Sequence, residues 1–159
     1  MANFIEGIEL RKLLLGNGPV EKSTGTLTHN GTAQLFTVAG GEVLITALWG
    51  KCTTTMAGAN TVQLQIDPTT GDTVAICQAT DLGSTDTAAG TILMFQFDVD
   101  DTVNTPDIVK GAGNAYTNLV VPTGEVECVA TGSGTVDGVI SWYCTWVPLT
   151  DGATLVASA

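Results

Sequence analysis

Between Thr61 and Ile66 the side chains alternate without a break: Thr-Val-Gln-Leu-Gln-Ile. Successive side chains of an extended strand point to opposite faces. Val62, Leu64 and Ile66 therefore face a core, and Thr61, Gln63 and Gln65 face solvent or a partner. Asp67-Pro68-Thr69-Thr70-Gly71-Asp72 follows, where Pro sets one φ and Gly frees another, so the chain must turn. This grammar of short strand and turn recurs along the chain and leads to an all-β fold.

Composition supports it. The chain has 26 Thr and 19 Gly in 159 residues, and only 13% of it is charged. Thr is β-branched and favours strands, and Gly supplies turn positions. A share of charge near half the usual ~25% argues against a coiled coil or a solvated helical bundle. The length predicts one domain.

Strands are expected at Thr24 to Thr28, Gln34 to Val38, Val43 to Trp49 (continuing to Thr55 past a bulge at Gly50), Thr61 to Ile66 and Thr73 to Thr80. Others are expected at Thr91 to Val99, Tyr116 to Val121, Glu125 to Ala130 and Val139 to Val147. His29-Asn30-Gly31 reads as a hairpin turn, since Asn-Gly accepts positive φ. Asp81 to Gly90 and Asp100 to Asn114 read as loops, and Pro148 to Ala159 as a weakly structured tail. Eight to ten short antiparallel strands make a β-sandwich or jelly roll. Residues 1–22 read as an N-terminal arm, helical or extended, set apart by Gly16-Asn17-Gly18-Pro19, with residues 23–159 as the sandwich domain.

Charge narrows the partners. Five Lys+Arg against 16 Asp+Glu give a net charge of −11. Five scattered cations cannot form the basic stripe that phosphates require, so neither nucleic acid nor an anionic membrane is an expected partner. No apolar run is long enough for a membrane helix, and the N-terminus lacks a secretory h-region. Synthesis and folding are expected in a cytosol.

Candidate chemistry is sparse. Cys52, Cys77, Cys128 and Cys144 lie in apolar or Thr-rich runs without the close spacing of a zinc site. Buried free thiols are the leading reading, with disulfides or a metal as alternatives. Asp98, Asp100 and Asp101 cluster but lack the ligand series of a calcium loop. Glu125 and Glu127, roughly 6.5–7 Å apart along a strand, have a spacing usable by an inverting glycosidase. Val126 and Cys128 on the other face make the Glu face the solvent face. His29 at a turn tip has no walls to hold a catalytic base. Trp49, Trp142 and Trp146 could form a sugar-stacking platform. Trp142 and Trp146 share a face with Ile140 and Cys144, however, which reads as core or subunit interface. No phosphate-loop, dinucleotide, nucleophile-elbow or zinc-protease motif occurs. No cofactor and no enzymatic activity are expected.

The apolar surplus points to self-association. Val43 to Trp49 and Val139 to Val147 are apolar on both faces, so a monomer would expose a large apolar patch. Phe4, Ile5, Ile8, Leu10, Leu13 and Leu14 of the arm, with Trp142 and Trp146, are the candidate partner contacts.

The run Thr24-Gly25-Thr26-Leu27-Thr28-His29-Asn30-Gly31-Thr32, then Leu35-Phe36-Thr37-Val38, Val43 to Gly50 and the closing Val139 to Leu149 follow the short arm. In this layout the chain resembles the small β-rich virion structural proteins of tailed bacteriophages, above all capsid decoration (cement) proteins. The resemblance covers most of the chain and rests on patterning, without a diagnostic motif. It implies a homotrimer on the exterior of an icosahedral head that locks neighbouring copies of the major capsid protein, and it transfers no site residues. Another virion part (tail, neck or fibre component) and a carbohydrate-binding β-sandwich are the alternatives.

Overall fold

The computed structural model of the chain describes residues 10, 12, 16–28, 30–58, 60–83, 85–97, 105–111, 113–116, 118–132 and 137–159. Among the described residues twelve strands follow one another: β1 (Asn17–Thr26), β2 (Gly31–Ala39), β3 (Val43–Thr54), β4 (Asn60–Pro68), β5 (Val74–Ala75), β6 (Thr80–Asp81), β7 (Ile92–Gln96), β8 (Asp107–Lys110), β9 (Leu119–Val121), β10 (Gly124–Gly132), β11 (Val139–Pro148) and β12 (Thr154–Ala157). They form two antiparallel sheets. Sheet 1 runs β1-β11-β3-β7-β8, with β9 also on β3. Sheet 2 runs β12-β2-β10-β4-β5, with β6 also on β4. The fold is therefore an all-β sandwich.

Its connectivity is that of a jelly roll. If β5 and β6 are taken as two halves of one broken strand, the principal strands in chain order are β1, β2, β3, β4, β5/β6, β7, β10 and β11. One sheet then has the order 1-8-3-6 and the other 2-7-4-5. Most turns consequently carry the chain from one sheet to the other. Gly40 and Gly41 make such a crossing between β2 and β3, with φ of 76° and 142°. A Cβ at Gly40 would stand 2.7 Å from the Gly152 carbonyl oxygen, so only glycine fits.

The core lies between the sheets. Trp142, Phe36, Phe95, Leu35, Ile45 and Leu48 are among its largest fully buried side chains. Trp142 and Phe95 are in ring contact at 6.2 Å, and Phe95 meets Tyr116 edge-on at 5.4 Å. In β4, Val62, Leu64 and Ile66 are buried and Thr61, Gln63 and Gln65 half-buried, as the alternation predicts.

Several expectations need correction. Asn30 takes φ of 52° and Gly31 N–H bonds the Thr28 carbonyl at 3.0 Å, so a turn forms. Its flanking strands nevertheless enter different sheets: β1 pairs β11, and β2 pairs β10 and β12. Local turn chemistry cannot reveal that choice. Residues 17–22, expected in the arm, belong to β1. Gly18-Pro19 does not stop this strand because β1 is the edge of sheet 1, where a missing N–H is tolerated, and the register slips between Asn17 and Val20. The bulges of β3 flank Gly50 rather than fall on it. Gly50 is instead a space for Trp142, whose Cζ3 would lie 2.9 Å from an added Cβ.

The expected strand Thr73 to Thr80 splits around Ile76 and Cys77, whose N–H groups both reach the Leu64 carbonyl. β8 lies inside a stretch read as loop. Four residues with one fully buried side chain, Ile108, are too few to show a period. The tail is likewise structured, because β12 pairs β2 and buries Leu155 to 3% exposure. Phe97 lies past the end of β7 and is 47% exposed, off the Leu93–Phe95 core face.

Two substitutions test this packing. Leu155→Ala should cost about 2–5 kcal/mol in denaturant unfolding, as core truncations do, and a loss below about 0.5 kcal/mol would return the tail to the surface. Gly50→Ala should cost about 1–3 kcal/mol by overpacking against Trp142, whereas an unchanged midpoint would show that the indole has room to move.

Candidate interaction surface

The period of two in β11 sends Ile140, Trp142, Cys144 and Trp146 inward, and all are buried, Trp142 at 0% and Trp146 at 9% exposure. Both indoles are thus core residues of their own chain. The proposal that Trp142 and Trp146 contact a partner is corrected, and with it a platform of three tryptophans. Sequence spacing placed them on one face correctly but could not tell a core face from an interface. Phe4, Ile5, Ile8, Leu13 and Leu14 lie outside the described residues, as do His29, Asp98, Asp100 and Asp101. Leu10 is described and is 46% exposed. Lys12 is helical, and its carbonyl accepts the Gly16 N–H at 2.9 Å just before β1 begins.

Alternate residues of the same strands face outward from sheet 1. Glu21, Tyr143 and Trp49 form one row across β1, β11 and β3. The Trp49 and Tyr143 rings stack at 5.6 Å with 10° between their planes. The Tyr143 hydroxyl donates to Glu21 Oε1 at 2.9 Å, and this bond raises the phenol pKa. A second row joins Val147, Leu44 and Val120 across β11, β3 and β9. Val120 is 51% exposed and Ile92, next to Lys51 in register, 39%. Trp49 and Tyr143 are the residues that sequence reasoning passed over as a pair. The signal was the both-face apolarity of β3 and β11, but register was needed to bring the rings together.

Charge divides between the sheets. The strands of sheet 1 carry Glu21 and Asp107 against Lys22, Lys51 and Lys110. Those of sheet 2 carry Asp67, Asp81, Glu125 and Glu127 with no Lys or Arg. Two of the lysines turn off the outer face: Lys22 Nζ donates to the Ser158 and Ala159 carbonyls, and Lys110 Nζ to the Thr85 carbonyl.

Glu125 and Glu127 project from the outer face of β10, yet the pair is not a free solvent-facing one. Glu125 Oε2 accepts from Thr37 Oγ1 at 3.0 Å and Ser158 Oγ at 2.8 Å. Glu127 is 8% exposed, and its Oε2 accepts from Gln65 Nε2 at 2.8 Å. Glu127 lines an open cleft of about 570 Å³ together with Lys22, Ser23, Thr24, Thr32 and Gln34. Glu125 does not line it, so the two carboxylates do not converge on one cavity as a glycosidase pair would.

All four cysteines are buried free thiols. Desolvation pushes Cys77, Cys128 and Cys144 up to about 12. Leu64 N–H donates to Cys77 Sγ at 3.1 Å. Among the described residues no group of three His, Cys, Asp or Glu could hold a metal ion, and no helix is long and apolar enough to cross a membrane. Comparison with protein-family models, with curated proteins and with solved structures finds no match.

The thiols give the fold an alkaline limit. Their ordinary pKa of 9.0 in the unfolded chain rises to about 12 in the folded one. Above pH 9 the unfolded state releases protons that the folded state keeps, so this contribution is whole below about pH 9 and is lost towards pH 12. Urea midpoints should fall more steeply over pH 9–11 for the native chain than for a Cys77→Ala, Cys128→Ala, Cys144→Ala variant. Equal slopes would contradict the assignment.

Proposed function

We propose that the chain is a non-enzymatic virion structural protein, a capsid decoration protein that binds the exterior of the major capsid shell as a homo-oligomer, in the first instance a homotrimer, and stabilises the head. The observation that carries the reading is the division of its surface. A jelly roll has one near-neutral, largely apolar sheet face and is preceded by a stretch of apolar sequence, while the rest of a −11 molecule is acidic. Such a division suits a part that must be held by protein neighbours and that needs no affinity for packaged DNA. Leu10, half exposed in the single chain, supports an N-terminal segment that docks away from its own sandwich. Fold alone does not specify function, and the jelly roll enters as an analogy with other capsid-associated domains.

In this arrangement the sandwich supplies rigidity, the apolar segment 4–15 the grip on the shell, and self-association the multiplicity that turns weak contacts into a stable coat. The assay is sedimentation of the purified chain with empty shells of the major capsid protein. The chain should pellet with the shells to a saturable ratio and raise the temperature at which they break. A chain beginning at Gly16 keeps all twelve strands and should melt cooperatively, while its apparent affinity for shells falls at least tenfold. Failure of the full chain to pellet with shells would overturn the proposal.

A further inference from the structure

The outer face of sheet 1 is the surface that a like molecule can approach. Trp49 stacks on Tyr143 there, and Leu44, Val147, Val120 and Ile92 extend the apolar area over four strands. The charge on this face is small: Glu21 at one side, held by the Tyr143 hydroxyl, Asp107 on β8, alternate to the buried Ile108, and exposed Lys51 on β3. The strands of sheet 2 carry four acids and no base. Two copies of a −11 chain repel wherever acidic surfaces meet, and at physiological salt that repulsion reaches about 8 Å. The outer face of sheet 1 escapes most of it, because its strands carry only Glu21, Asp107 and Lys51 there, and Lys51 can be answered by an acid of a copy.

We infer that this face, centred on the Trp49–Tyr143 stack, docks a second copy of the chain, and that the N-terminal segment is thereby left for the shell. The inference rests on the homo-oligomer part of the proposed function. Burial of the apolar rows supplies the attraction, and desolvation of the stacked rings gives the contact an aromatic centre of the kind that dominates protein interfaces. Because the remaining net charge of the copies repels, added salt should tighten the assembly rather than loosen it.

The test is the mass of the full-length chain by light scattering at micromolar concentration, with thermal melts of each variant run in parallel. The native chain should give a multiple of 16.3 kDa. Val120→Glu and Lys51→Glu alter exposed positions and should each melt as folded proteins while weakening assembly at least tenfold, towards a mass of 16.3 kDa. Val156→Glu, at a 54% exposed site on sheet 2, should leave the mass unchanged. Oligomers that survive both sheet 1 substitutions would overturn this inference and leave the homo-oligomer reading standing. Dissociation by Val156→Glu alone would move the contact to sheet 2, and so would also overturn it. If the sheet 1 variants stay assembled but lose shell binding, the face belongs to the shell and the inference fails. A native chain of monomer mass would end both.

Discussion

One indole anchors the core of the sandwich. Trp142 has no solvent exposure and lies opposite Gly50 of the neighbouring β3, whose missing side chain gives the ring its space. Packed sheets stand about 10 Å apart, and the indole enters that gap from sheet 1, lying over the bare Cα of Gly50 in the same sheet. Phe95 closes on the ring from β7 and Cys128 of β10 is buried in the same core. With Trp142 fixed inward, the period of a strand puts Tyr143 outward. The pairing of β11 with β3 then places Trp49 beside it. The surface on which we propose that copies meet is thus a consequence of how the core is filled.

What could be read from the sequence follows from what is local. Alternation in β4 and the apolar density of β3 and β11 report burial residue by residue, and they locate strands within a few positions. Asn30-Gly31 and Gly40-Gly41 report turns for the same reason: positive φ is a property of single residues. Pairing is not local. Asn30-Gly31 has the chemistry of a tight hairpin, yet Leu27 is buried just before the turn and the strands part into opposite sheets. Short strands were invisible because β8 and β12 have four residues each and a single deeply buried side chain apiece, Ile108 and Leu155. The same gap explains the candidate site. Trp142 and Trp146 were placed on the correct face, but only the position of the second sheet shows that this face is interior.

The acidic composition takes on a more specific meaning with the sheets in place. Spread evenly, −11 would oppose any assembly of copies. Glu125, Glu127, Asp67 and Asp81 all fall in strands of sheet 2, and the lysines of the described strands all fall in sheet 1. A division of this kind leaves one face open to association and keeps the other solvated. It is the arrangement expected of a part that self-assembles on a shell, and it is the physical content of the decoration-protein proposal.

Electron cryomicroscopy of major capsid shells mixed with the native chain would measure that content most directly. The account predicts jelly-roll density on the outside of the shell, with the Trp49–Tyr143 face turned to a neighbouring copy and the N-terminal segment running into the shell. Bare shells, or copies that stand apart with the outer face of sheet 1 in solvent, would contradict it.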